Sequence, residues 1–147
     1  GSFMNNKIIR RSMIALAVIG VLFILIQFLP IFEKTNPAVK SEPSWDDPAT
    51  RALAKRACFD CHSNETVWPW YASVAPVQWL VVSDVNEARD AYNLSDWHSG
   101  DVSLKKVERE ISGGGMPPIQ YRLMHPAARL TDAEKQQLIK GLQASLE

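Results

Sequence analysis

Cys58-Phe59-Asp60-Cys61-His62 is the stretch whose reading decides the fold. Two thiols three positions apart fit on one turn of chain, and an imidazole follows at once. Each thiol of such a pair can add across one vinyl group of a haem, giving two thioether bonds, and the next residue then lies under the iron as its proximal ligand. The chain has two cysteines, both in this run, so no thiol is left over. A closed zinc site would need four ligands, and no third Cys is present to complete one. A thioredoxin-like C-x-x-C requires a βαβ setting that the flanks do not offer. A disulfide between Cys58 and Cys61 would close a very small loop and gain little. The run therefore reads as the attachment site of one covalent haem c, with Cys58 and Cys61 as thioether residues and His62 as an iron ligand.

The sequence upstream points the same way. No charged residue occurs from Ser12 to Phe32, and Met13–Phe32 is apolar enough and long enough, at 20 residues, to cross a hydrocarbon core of about 30 Å. Lys7, Arg10 and Arg11 precede it and no acid lies before Glu33, so the positive-inside rule puts the N-terminus in the cytoplasm and the rest of the chain outside. In a bacterium that is the periplasm, where thioether attachment takes place. A cleaved signal peptide would have a shorter apolar region and a small-x-small site. Glu33-Lys34-Thr35-Asn36-Pro37 has none, so an uncleaved anchor over 4–32 is expected. Gly1-Ser2-Phe3 ahead of Met4 reads as a tag remnant.

Three of the 16 bases lie in the first 32 residues, which leaves 13 bases against 16 acids beyond them. That mildly acidic outer part, without a basic stripe, gives no sign of nucleic-acid binding and suits a basic patch on a redox partner. Residues 33–47, with Pro37 and Pro43, read as an extended linker reaching on the order of 45 Å.

Residues 48–147 read as an all-α domain of short helices around the haem. Asp47 and Pro48 open a helix to about Cys58, with Ala49, Ala52, Leu53 and Ala57 on its apolar side. A second is expected over Pro76–Tyr92, with Trp79, Leu80, Val82 and Val85 inward. A third is expected over Leu104–Ile111, ending at Gly113-Gly114-Gly115. The last starts with a capping box, Thr131 and Glu134, and carries Leu138, Ile139, Leu142 and Leu146 as its stripe. Gly141 within that stripe is expected to admit the alanine face of the first helix. No sustained alternation predicts a sheet.

For the second axial position of the iron, Met116 is the chosen residue. Three glycines let the backbone approach the ring, and Pro117 and Pro118 fix the chain after the sulfur. Met124 reads as core and His98 as surface. His125 reads as a hydrogen-bonding group near a propionate. Trp68, Trp70 and Tyr71 read as walls of the haem pocket that exclude water.

Cys58–Thr66, Trp68-Pro69-Trp70-Tyr71, Ala75-Pro76, Asn93–Trp97, Met116-Pro117-Pro118, Tyr121 and His125-Pro126 together resemble the bacterial haem-binding domain family of cytochrome c type. The resemblance runs from about Trp45 to the C-terminus. It implies a covalent haem in a small helical domain, often behind an N-terminal anchor, with Cys58 and Cys61 as attachment residues, His62 proximal and Met116 distal. The expected role is electron transfer, as a tethered carrier or as a subunit of a respiratory or photosynthetic membrane complex. A haem-based gas or redox sensor with a displaceable Met116 is the alternative. A peroxidase-like enzyme ranks lowest, since no distal acid–base set is evident.

Overall fold

The computed structural model describes residues 2–98 and 102–146. It is all-helical, and among the described residues the extended pairing is confined to one isolated bridge, Ser41 with Asp96. The helices are α1 (Ser2–Ile26), α2 (Pro48–Ala57), α3 (Phe59–His62), α4 (Val77–Ala91), α5 (Leu104–Ser112), α6 (Ile119–Met124) and α7 (Asp132–Leu146), with 3-10 turns at Trp70–Ser73 and Pro126–Ala128. The chain divides into two compact units, one of residues 1–33 and 69–83, the other of residues 34–68 and 84–147.

The first unit is built on α1. Over Asn6–Ile26 this helix is long and apolar enough to cross a membrane. The apolar run continues to Phe32, but the helix stops at Ile26. Its end tightens into i→i+3 bonds, Gln27 N–H to the Ile24 carbonyl at 3.1 Å and Phe28 N–H to that of Leu25 at 3.2 Å. Pro30 follows, and it disfavours helical backbone at the residue before it. The charge-free helical stretch is thus Ser12–Ile26, about 22 Å at 1.5 Å per residue. Lys7, Arg10 and Arg11 are part of the same helix, where long basic side chains can reach out to a headgroup layer.

The second unit carries the core. Leu53, Ala54, Phe59, Leu94, Ile111, Leu138, Ile139 and Leu142 are buried together. Helix α7 packs on both α2 and α5. Its capping box forms as expected: Glu134 N–H donates to Thr131 Oγ1 at 3.2 Å, and Thr131 N–H donates to Glu134 Oε2 at 2.8 Å. Leu138, Ile139 and Leu142 face the core, while the Leu146 side chain lies outside the described residues. In α5, Ile111 is buried, with Leu104 and Val107 packed against the same cluster.

Two expected faces are corrected. Helix α2 buries Thr50, Leu53, Ala54 and Ala57, and leaves Ala49 and Ala52 exposed. Its inward stripe is the i, i+3, i+4, i+7 set starting at Thr50, whose hydroxyl makes it look polar in sequence. In α4, Leu80 is 66% exposed.

Residues 34–47, expected as an extended spacer, run instead as a strap on the second unit. Lys40 N–H and Ser41 N–H both donate to the Ser95 carbonyl, and Trp97 N–H donates to that of Ser41. Asn64 Nδ2 donates to the Ala38 carbonyl at 3.0 Å. Glu42 takes a two-pronged hold from Arg51, Nε and Nη2 each at 2.7 Å, and accepts from Trp45 Nε1 at 2.8 Å. Arg51 keeps the Glu42 carboxyl below its ordinary value. At the far end Ser145 Oγ accepts from Asp46 N–H at 3.0 Å and donates to the Gly141 carbonyl at 2.6 Å.

Gly141 is where α7 meets α2. A Cβ there would stand 2.8 Å from Thr50 Cβ and closer still to Oγ1 and Cγ2 of the same side chain. Thr50 is 2% exposed and has nowhere to swing. Overpacking costs about 1–3 kcal/mol, against a gain of about 1 kcal/mol in helix propensity. Gly141→Ala should therefore lower stability by about 1 kcal/mol in thermal or urea unfolding. Adding Thr50→Ala should restore most of it. A Gly141→Ala chain more stable than the parent would rule out this crossing.

Candidate functional site

The motif lies where α2 ends. Asp47 caps that helix through Oδ1, which accepts from Ala49 N–H at 2.6 Å, and Pro48 occupies its first position. Cys58 closes it, N–H to the Ala54 carbonyl at 2.7 Å, and its own carbonyl starts the next turn, accepting from Cys61 N–H at 3.1 Å and His62 N–H at 2.8 Å. Cys58, Cys61 and His62 are thus presented by a single turn. Phe59, between the cysteines, is 1% exposed and pins that turn into the core. Its ring lies 6.2 Å from that of Trp45, and the Arg51 guanidinium sits 5.4 Å above it.

His62 is 7% exposed. Its Nδ1 lies 2.9 Å from the Ala88 carbonyl and 3.3 Å from that of Tyr92. Both partners are acceptors, so Nδ1 carries the proton and the Nε2 lone pair is free for a metal. The Tyr92 ring stacks on the imidazole at 4.0 Å, 5° from parallel. Burial pulls the His62 pKa below its ordinary value, against the two carbonyl contacts that raise it, and this favours the neutral, ligating form.

Both cysteines are unpaired. Burial pushes the Cys58 thiol up to about 12, with Cys61 adding to it. Cys61 is pushed up to about 11, first by burial and then by the Asp60 and Asp84 carboxylates. A dithiol redox centre works through a free thiolate, which this environment disfavours. Among the described residues no group of three or more His, Cys, Asp and Glu side chains is placed to hold a metal ion.

The residues after the motif are laced to Asn93-Leu94-Ser95. Leu94 N–H donates to the His62 carbonyl at 2.7 Å, Asn64 N–H to Ser95 Oγ at 3.0 Å, and Asn93 Nδ2 to Asn64 Oδ1 at 2.8 Å. Arg89 binds the Ser63 carbonyl through Nε at 2.8 Å, Thr66 Oγ1 through Nη2 at 2.9 Å, and the Thr35 carbonyl of the strap through Nη1 at 2.9 Å. A cation on the polar side of an amphipathic helix looks solvated in sequence, so this role was not legible there.

Met116 lies in the same unit, on the loop after α5, and is 41% exposed. Its N–H donates to the Glu110 carbonyl at 3.0 Å. Gly114 has a φ of +76°, a conformation that favours glycine, and Gly115 lies so close to the Glu110 carboxylate that a Cβ would collide with it. Helix α6 holds both ends of the arrangement. Tyr121 Oη donates to Asp60 Oδ2 at 2.5 Å, inside the motif, and Arg122 Nη2 donates to the Gly114 carbonyl at 3.2 Å, in the methionine loop. Met116, Ile119, Leu123 and Met124 leave apolar surface exposed in the unit that holds His62. Met124, expected as core, is thus 55% exposed. His125 stacks on Tyr121 at 4.2 Å, and His98 is exposed. Trp68 is half-buried in the same unit. Trp70 and Tyr71 belong to the other unit, edge-to-face at 5.8 Å, with Trp70 77% exposed.

A single-turn pair of thiols and a buried imidazole with Nδ1 anchored and Nε2 free are groups that can hold a haem. Residues 21–144 match the haem-binding domain family, and the chain belongs to that family. No curated protein matches the chain. No solved structure matches it either. The donor chemistry fits the haem that the family implies: His62 presents one free nitrogen and Cys58 and Cys61 present two protonated sulfurs.

Tyr121→Phe should cost about 1.5–3 kcal/mol, the range for a hydrogen bond to a charged acceptor. In an Asp60→Asn background it should cost much less. A double-mutant cycle by urea unfolding of the haem-loaded protein checks the coupling. Equal losses in both backgrounds would show that α6 is not tied to the motif through this pair.

Proposed function

We propose that the chain is a monohaem c-type cytochrome that carries electrons, anchored in a bacterial inner membrane by α1 with its haem domain in the periplasm. The observation that carries this reading is the fixed tautomer of His62 directly after the cysteine pair. An imidazole held by two backbone carbonyls is oriented to ligate and to stay ligated. Haem, when bound, supplies one-electron chemistry at its iron.

The residues then have distinct tasks. Cys58 and Cys61 would each hold the haem through a thioether, formed by adding S–H across a vinyl C=C with the sulfur on one carbon, the hydrogen on the other and no electron left over. His62 Nε2 is the proximal ligand. Met116 Sδ would hold the iron from the other side, and thioether ligation would raise the potential, which suits a carrier rather than an enzyme. Trp68 helps keep water from the site. The excess of acids outside the N-terminal helix, 16 against 13 bases, favours a basic patch on a redox partner or on a larger membrane complex. The positive flank of α1, Lys7, Arg10 and Arg11, supports the inward N-terminus.

The exposure of Met116 favours one second reading, a gas or redox sensor whose distal sulfur is displaced by a ligand. Two measurements separate the cases. Haem should stay on the chain through denaturing electrophoresis and be lost from the Cys58→Ser, Cys61→Ser variant; haem released from the parent chain by denaturation would refute covalent attachment. The ferric parent should show a sulfur-to-iron charge-transfer band that Met116→Ala abolishes, with a lowered potential. A band unchanged in Met116→Ala would exclude this methionine. Rapid, tight carbon monoxide binding to the ferrous parent would favour the sensor.

A further inference from the structure

The first unit contains a second stretch with no charged residue. Pro69–Ser83 reads PWYASVAPVQWLVVS, 15 residues carrying two of the chain's five tryptophans. It is fastened to the end of α1. Gln27, the first residue past the helix, donates from Nε2 to the Phe23 carbonyl at 2.9 Å and to the Ala75 carbonyl at 3.1 Å, and its Oε1 accepts from Ala75 N–H at 2.9 Å. The side-chain amide thus pairs with both backbone groups of one residue, as a neighbouring strand would. Gln78 Nε2 adds a contact to the Phe32 carbonyl at 3.4 Å. On this fastened segment Trp70 is 77% exposed, Leu80 66% and Val77 42%.

We infer that Pro69–Ser83 is a membrane-interface element, and that Trp70, Val77 and Leu80 dock into the headgroup–acyl boundary of the bilayer that α1 enters. This inference rests on α1 being membrane-inserted. Gln27 sits where the apolar helix ends, so the residue paired with it is held at the level of a bilayer surface. Trp70 and Leu80 are each five residues from Ala75, and both 3-10 turn and α-helix shorten that reach. An indole with an apolar body and one N–H donor suits this layer, where tryptophan and tyrosine concentrate. An uncharged segment avoids the cost of taking an ionised group out of water there. The exposed apolar side chains are continuous in chain and in hydrogen bonding with the lipid-facing helix, which sets lipid above a protein partner as their occupant.

The test uses the full haem-loaded chain in vesicles of phosphatidylcholine and phosphatidylglycerol. Nitroxide labels are placed singly through Trp70→Cys and Leu80→Cys, with Val18→Cys as a reference inside the span and Gln143→Cys as a reference on the second unit. The chain without an added cysteine sets the background from Cys58 and Cys61. The ratio of collisions with oxygen to collisions with a water-soluble nickel chelate reads depth. Labels at Trp70 and Leu80 should give ratios several-fold above Gln143 and below Val18. A ratio equal to that of Gln143 at either position, with Val18 in lipid, overturns the inference and leaves the anchor standing. Shielding of either label from both reagents means that protein covers the segment, and also overturns it. A Val18 label in water removes the anchor and this inference with it.

Discussion

The contact on which the site depends is the one behind His62. Its Nδ1 faces the Ala88 and Tyr92 carbonyls at the C-terminal end of α4. A helix leaves its last carbonyls without intrahelical partners and ends with a partial negative charge. The Ala88 carbonyl also accepts from Tyr92 N–H at 3.1 Å, so its second lone pair and the charge at the helix end favour an N–H donor there, and α4 ends in a receptor for one tautomer of one imidazole. The same end of the chain then returns to the motif through Leu94 N–H to the His62 carbonyl. Backbone and side chain of His62 are thus fixed by one short stretch, 88–94, and neither can rotate without breaking the other.

That clamp needs the motif turn itself to be immobile, and Phe59 supplies this. A C-x-x-C-H run of small and polar residues would sit on the surface with only two backbone bonds to hold it. Phe59 buries an aromatic ring between the cysteines, beneath the Arg51 guanidinium and against Trp45. Arg51 in turn grips Glu42, which ties the strap to the helix that ends in Cys58. The cysteines are therefore presented by a turn fixed from below by the core and from the side by the strap. Held so, the two sulfurs keep their spacing before any bond to a cofactor is made.

Much of this was legible in the sequence because it is local. The capping box of α7, the proline start of α2 and the glycine stop of α5 are read from a few adjacent residues, and they formed. The notch at Gly141 was legible because a glycine in an apolar stripe has few other uses, although Thr50, not an alanine, fills it. What escaped notice depends on partners far along the chain. The strap has no hydrophobic period because backbone groups and Arg89, Asn64 and Ser95 hold it, so it looked like a linker. The turn to α2's true face was hidden by counting threonine as polar. The end of α1 at Ile26 was masked because residues 27–32 stay uncharged and mostly apolar while their backbone leaves the helix.

Helix α6 has six residues and none of them is buried, yet it links the cysteine turn to the loop that carries Met116. Hydrogen bonds tie it to the rest of the unit. Tyr121 reaches Asp60, whose other oxygen accepts from Val67 N–H at 3.0 Å, and Arg122 reaches the Gly114 carbonyl. A displacement of α6 would therefore move the cysteine turn and the methionine loop in register, because adjacent residues grip both. The exposed Ile119 and Leu123 of this helix are costly in water. Its geometry makes sense when a large apolar surface covers it. Under the proposed function, a haem held at the turn that Tyr121 grips would meet that requirement, and α6 would then belong to the haem site.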